Sequence, residues 1–276
     1  MEYGLIYSKY DPAGVGIVNV LKELTRVTPV NVRGFERAFI AEELNAIILE
    51  VDTDITECEF VGDLVDVKYY VMISKHTSSQ GIKSFTTHHV GIPIHDLNLT
   101  RNINSFPHSN PPLAKKFLLN LIKFRDELKL NDFVVSYEVT HHGPYTLRKP
   151  TTFIELGSSS SEWGLKKAQE VIAYVVKDSL SSDLSCIPTV GVGGNHYASM
   201  FTSRALSSGE CFGHIIPNYV IKYFRDDVEV LSRLTNYAIT YSVVSTSRVV
   251  MDSKVPSIVK KLVREVCSKL GLEVID

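Results

Sequence analysis

The segment YGLIYSKYDPAGVGIVNVLKEL, residues 3–24, decides the fold class. Tyr3 to Tyr7 is a short apolar run of strand type. Asp11 can accept hydrogen bonds from the first unpaired amides of a helix, and Pro12 fits a first turn because its missing N–H would be unpaired there anyway. A strand followed at once by a helix through about Leu24 therefore opens the chain. Working outward, strand-like runs recur at 46–51, 68–74, 132–139, 151–156 and 187–192, and helical periodicity at 112–130, 162–180, 227–237 and 254–270. In the first of these helices Leu113, Phe117, Leu121, Phe124 and Leu128 make one apolar stripe. Strands interleaved with helices predict an α/β protein with three layers, α/β/α, around a mixed sheet.

No Pro/Gly-rich linker divides the 276 residues, so 1–276 is expected to form a single α/β domain. Its least regular part is a polar, loop-rich region at about 76–111. With 44% hydrophobic and 22% charged residues the chain has the composition of a folded globular protein. No apolar run approaches the length of a membrane span, which takes about 20 residues. Met1-Glu2-Tyr3 does not begin a secretory leader, so a cytoplasmic location is expected. The four cysteines, Cys58, Cys186, Cys211 and Cys267, form no CxxC pair and read as buried thiols. A net charge of −2 offers no global attraction for a polyanion. RNA binding would need a local patch, for which Lys115-Lys116, Arg148-Lys149, Lys166-Lys167 and Lys260-Lys261 with Arg264 are candidates, although each pair is equally at home on a solvated helix face or loop.

Chemistry is concentrated in short polar segments after predicted strands, where open α/β sheets place their ligand sites. Along 133–142, alternation puts Phe133, Val135, Tyr137 and Val139 on one face and Ser136, Glu138, Thr140 and His142 on the other. Glu138 and His142 share a side, and a turn at Gly143-Pro144 could bring His141 into the same cleft. These residues suit a metal site or a base oriented by a carboxylate, but hydrogen-bonded histidines anchoring a turn would leave the same trace. In VGVGGNHYAS, 190–199, the amides of Gly193, Gly194 and Asn195 could receive a phosphate or an oxyanion with His196 alongside; a tight strand-to-helix turn explains the same glycines without a ligand.

A third cluster, Ser74 to Ser79 with Thr86-Thr87-His88-His89, supplies His76, His88 and many hydroxyls around an expected loop, and His214 stands in GHIIPNY. Zinc takes three or four nitrogen, sulfur or carboxylate ligands and leaves a position open in catalytic sites. Without an HExxH motif, such a site has to be assembled from distant segments. Lys254 with Asp252 could be an acid/base pair or simply helix-start charges. No GxSxG elbow and no suggestive cysteine context point to a serine or cysteine nucleophile.

In order along the chain stand SKHTS (74–78), TTHHVG (86–91), EVTHHGP (138–144), FIELGSS (153–159), GVGGNHYA (191–198) and GHIIPNY (213–219). This succession resembles the archaeal and plant type of D-aminoacyl-tRNA deacylase, from about residue 1 to 270. Ile92, Asn195 and Ser199 depart from the residues usual in that family. The matched histidines are His76, His88, His141, His142, His196 and His214, leaving His89, His95 and His108 as incidental.

The resemblance implies hydrolysis of the ester between a D-amino acid and the tRNA 3′ end, a chiral proofreading activity in translation. It implies a phosphorylase/hydrolase-like fold sharing features with peptidyl-tRNA hydrolase, and zinc, up to two ions. On this reading His76, His88, His141 and His196 hold metal, and Glu138 and His142 handle protons. Gly193 and Gly194, with Asn195, face the developing oxyanion, and His214 and Lys254 are further candidates. The expected partner is the acceptor end of D-aminoacyl-tRNA, met by a monomer. A nucleoside phosphorylase or phosphohydrolase, and a non-catalytic acceptor-end binding module with structural histidines, are the competing readings.

Overall fold

The computed structural model describes residues 1–276. Strands β1 (Tyr3–Ser8), β2 (Thr28–Val30), β3 (Ala38–Ala41), β4 (Ala46–Val51), β5 (Tyr69–Thr77), β6 (Ser84–His89), β7 (Val134–Tyr137) and β8 (Thr151–Ser158) form one sheet, ordered β2-β3-β4-β1-β5-β8-β6-β7. This sheet is mixed: β4, β1, β5 and β8 run parallel, while β6 is antiparallel to β8 and parallel to β7. Strands β9 (Ile187–Val192), β10 (Glu210–Ile216), β11 (Arg248–Met251) and β12 (Glu273–Ile275) form a second, parallel sheet, ordered β10-β9-β11-β12. The helices are α1 (Pro12–Leu24), α2 (Val61–Leu64), α3 (Leu97–Asn102), α4 (Pro111–Glu127) and α5 (Ser160–Trp163), followed by α6 (Lys166–Leu180), α7 (Ser199–Ser207), α8 (Asn218–Tyr223), α9 (Val228–Thr240) and α10 (Ser257–Leu270).

Asp11 does more than cap α1. Its Oδ1 accepts from the amides of Ala13 and Gly14 at 2.9 and 3.0 Å, and its Oδ2 accepts from the Lys75 amide at 2.7 Å. The helix start is thereby stitched to β5 one residue before His76. Gly14 permits the approach, since a Cβ there would stand 2.7 Å from the Ile73 carbonyl oxygen. Helices α1, α4 and α6 cover the sheet face that carries Leu5, Val71, Ile73, Phe85, Ile154 and Leu156. The expected stripe of α4 lies on this core, with Leu113, Phe117 and Leu121 buried and Phe124 and Leu128 half-buried against it.

The opposite face is covered differently. Ile6, Leu49, Tyr70, Met72 and Phe153 meet Ile55, Val61 and Leu147, from short turns and a one-turn helix rather than long helices. Around the second sheet the helices do lie on both sides: α8, α9 and α10 bury Val190, Val192, Val249 and Met251, while α7 and α4 pack toward Phe212, Ile215 and Val250. The two sheets are joined where β7 ends. Ala198 donates to Tyr137, Val139 to His196 and Thr140 to Ile215, so the EVTHH segment is clasped by the GGNHYA loop and by β10.

Several expectations need correction. The region 76–111 keeps long irregular stretches, but its histidine pair is not in a loop: β5 extends to Thr77, TTHH lies in β6, and α3 occupies 97–102. The periodic segment 162–180 is split at Gly164 into α5 and α6. Only Cys58 and Cys267 are free buried thiols, because parallel pairing of β9 and β10 brings Cys186 and Cys211 to a Cα separation of 5.8 Å, where they form a disulfide. Burial pushes the Cys58 and Cys267 thiols up, to about 12 and about 11, which disfavours the nucleophilic thiolate. Of the Lys115-Lys116 pair, Lys115 is buried and bonds the Ser208 carbonyl, while Lys116 is half-buried and bonds the carbonyls of Ser179 and Ser182.

Candidate metal centre

Strand alternation builds the site. Register aligns His76 with Gly157, Ser74 and Thr86 with Glu155, and Thr86 with Ser136, so the side chains of Ser74, His76, Glu155, Thr86, His88 and Ser136 emerge from one face of adjacent strands. Glu138, just past β7, continues the row. Toward the opposite strand ends this face carries the apolar Tyr70 and Met72; here it turns polar. Gly157 leaves the space His76 needs, since a Cβ would stand 2.8 Å from the imidazole Cδ2. The turn after β7 then folds His141 and His142 over this floor, with His142 at φ 38°, a left-handed conformation that ordinary side chains rarely adopt and that recurs at functional sites.

Two overlapping donor groups result. Ring nitrogens of His88, His141 and His142 lie within 4.8 Å of one another, as do donor atoms of His76, Glu138 and His196; His88, Glu138 and Glu155 form a third such combination linking them. His76 Nδ1 stands 3.1 Å from Glu138 and 3.3 Å from Glu155, and His196 Nε2 is 3.2 Å and His141 Nε2 3.4 Å from Glu138. Glu138 is 2% exposed, so its charge has no water to replace these partners.

The outer nitrogens are consistently occupied. His141 Nδ1 meets the Val139 carbonyl at 2.7 Å, His142 Nδ1 the Gly143 carbonyl at 2.8 Å and His88 Nδ1 the His89 carbonyl at 3.2 Å. A carbonyl only accepts, so each Nδ1 carries a proton, and on His141 and His142, which stay neutral, Nε2 presents a lone pair to the shared space. Tyr197 Oη lies 3.1 Å from His76 Nε2, leaving Nδ1 as the nitrogen that faces the carboxylates.

The electrostatics divide the cluster. Burial, then His88 and His142, hold His141 well below the usual imidazole value, and burial with His88 lowers His142 to about 4; both are neutral near pH 7. Burial opposes charge on His76 too, but Glu155 and Glu138 outweigh it and raise its pKa to about 9. His88 is raised in the same way by Glu155. Burial pushes Glu155 toward neutrality, yet its contacts with His76 and His88 win and hold it well below the usual carboxylate range; His196 acts likewise on Glu138. His88 Nε2 and both Glu138 oxygens are buried yet make no aligned hydrogen bond. Unspent donors of this kind, nitrogen-rich and shared with carboxylates, fit a metal ion.

A cavity of ≈ 390 Å³ opens onto His76, His141, His142, His196 and Glu155. Other assigned residues lie apart from it. His214 is fully buried, with Nε2 on the Pro107 carbonyl at 3.0 Å and Nδ1 on Thr140 Oγ1 at 3.2 Å, so both nitrogens brace the segment leading to His141. The Gly193 amide donates to Ile216 at 2.7 Å and is therefore not free for an oxyanion. Gly194, Asn195 and Lys254 border a separate small cavity with Tyr197 and Asp252, and Asp252 accepts from the Lys254 amide as a local turn cap. His142 and Glu138 make no hydrogen bond to each other, because the turn spends His142 Nδ1 on Gly143. Glu155 was missed in the sequence; the available signal was an acid inside the otherwise apolar run Phe153-Ile154-Glu155-Leu156.

With this geometry in view, comparison with known proteins is specific. The D-aminoacyl-tRNA deacylase family model matches residues 64–275. This chain belongs to that family. D-aminoacyl-tRNA deacylases from Aeropyrum pernix and Staphylothermus marinus are each 32% identical, over 99% of this chain and 99% of the relative in the first case and 82% and 83% in the second. A crystal structure described as a conserved protein of unknown function, AF0625, superposes with a TM-score of 0.86 at 27% identity, covering 99% of this chain and 94% of that one. The arrangement of the two sheets is therefore a property shared with a solved relative. No helix of the chain is long and apolar enough to cross a membrane.

Proposed function

We propose that this protein hydrolyses the ester joining a D-amino acid to the 3′ end of tRNA, releasing both, as a monomer in the cytoplasm, and that a metal centre at the histidine cluster supports the reaction. The observation that carries this reading is the pair of donor groups beside one cavity, His88, His141 and His142 next to His76, Glu138 and His196; His76, His141, His142 and His196 open onto it, and His88 and Glu138 lie buried behind them. Imidazole and carboxylate donors favour zinc among common ions, and the two groups leave room for up to two. When bound, the metal supplies Lewis acidity toward an ester carbonyl and makes water more acidic.

The chain's own residues do the rest. Backbone carbonyls of Val139, Gly143 and His89 hold a proton on Nδ1 of His141, His142 and His88 and fix their ring orientations, and the Tyr197 hydroxyl orients the His76 ring. Proton handling passes from the pair His142 and Glu138 to Glu155. Glu155 borders the cavity, its Oε1 is held by the Ser74 hydroxyl at 2.8 Å, and its Oε2 takes the proton of the attacking water. Glu138, ringed by imidazoles and shut from solvent, orients them instead. Selection of D over L rests on cavity shape, since the enantiomers carry the same groups.

Purified protein incubated with matched D- and L-tyrosyl-tRNA should release free tyrosine from the D ester at least tenfold faster, a discrimination of about 1.4 kcal/mol or more. Equal rates would remove chiral proofreading from the assignment.

A further inference from the structure

The cavity does not end at the histidines. It continues past His76 to a rim at the ends of β1 and β5, where Tyr10 and Lys75 stand, neither of them used in the chemistry above. Tyr10 is 65% exposed, an unusual position for so large a ring. It is nonetheless held in place: its hydroxyl donates to Asp52 at 2.5 Å, and Lys9 pairs with the same carboxylate oxygen at 2.7 Å.

Lys75 is fixed at its backbone by Asp11, and its ammonium lies 5.3 Å from the centre of the Trp163 ring. No carboxylate forms a salt bridge with it. The neighbouring Asp11 spends its oxygens on the amides of Ala13, Gly14 and Lys75. Trp163 in turn donates from its indole to the His76 carbonyl at 3.0 Å, tying this cationic corner to the cluster.

An exposed, immobilised aromatic ring, with the Lys9 ammonium 5.3 Å from its centre, and a cation without a salt bridge on the rim of one cavity are the two elements by which proteins grip single-stranded nucleic acid: bases stack on the open side of the ring and phosphate meets the cation. The chain's net charge of −2 gives RNA no other general attraction, so a local device is needed. We propose that Tyr10 and Lys75 form the subsite for the last nucleotide of the RNA, with the terminal base on the Tyr10 ring and the adjoining phosphodiester at Lys75. This places the acylated ribose between the rim and the histidine floor. The subsite rests on the deacylase reading above and adds a recognition step to it.

The experiment compares D-tyrosyl-tRNA with D-tyrosine ethyl ester, which has no nucleotide. Tyr10→Leu should raise KM for the tRNA relative to that for the ethyl ester about tenfold, from the lost stacking, and Tyr10→Phe should restore the lower ratio. Lys75→Met should raise the same ratio and flatten the salt dependence of KM. Wild-type protein that deacylates the tRNA, with an unchanged ratio in Tyr10→Leu and Lys75→Met, overturns the subsite and leaves the deacylase reading standing. Wild-type protein that hydrolyses neither ester overturns the deacylase reading. A titration with the trinucleotide CCA then decides the subsite: binding weakened about tenfold by Tyr10→Leu upholds it, and equal or absent binding overturns it.

Discussion

His88→Ala should lower kcat/KM for D-tyrosyl-tRNA by at least about 10³-fold, some 4 kcal/mol of transition-state stabilisation. His88 belongs both to the group with His141 and His142 and to the combination with Glu138 and Glu155 that links the two halves, so its loss opens the first half and its link to the second. Disturbing groups that merely orient metal ligands typically costs 10–100-fold, and removing a shared donor should exceed that. Metal per protein, measured by plasma mass spectrometry, should fall in parallel. His95→Ala, at an exposed position away from the cluster, should retain both metal and rate. An active, metal-replete His88→Ala protein would remove His88 from the centre.

Glu155→Gln should lower kcat about 10²- to 10⁴-fold, the range associated with a positioned general base. The amide preserves shape, and its carbonyl can still accept from Ser74, so the strand floor should stay intact. What is lost is the ability of Oε2 to take a proton. Metal content should remain near the wild-type value and KM should change little, which separates a proton acceptor from a ligand. Loss of metal together with rate would make Glu155 a ligand, and an unchanged kcat would leave it without a catalytic role.

The parts of the fold that rest on local chemistry were legible in the sequence. Asp11-Pro12 marks the start of α1, and the apolar stripe of α4 marks its buried face, because capping and helical periodicity are nearest-neighbour effects. β6 escaped because Ser84-Phe85-Thr86-Thr87-His88-His89 has no run of apolar residues. Its even positions face the site instead of a hydrophobic layer, so the pattern that marks a strand is replaced by the pattern that marks chemistry.

The Cys186–Cys211 disulfide depends on the pairing of β9 with β10, a long-range contact that residue spacing does not encode. At the site, the histidines were visible as residue types, but their grouping was not. It follows from the order β5-β8-β6-β7, which sets His76, Glu155, His88 and Glu138 side by side although they come from segments far apart in the chain. The same folding removed Gly193 from the oxyanion role by committing its amide to Ile216.

The central claim, that the histidine cluster works through a bound metal, is tested most directly by following D-tyrosyl-tRNA ester loss with protein dialysed against a chelator and then supplied with zinc. Activity should fall to near background on chelation while the far-ultraviolet circular dichroism stays native, and zinc should restore it. Undiminished turnover by protein shown to be metal-free would contradict the account.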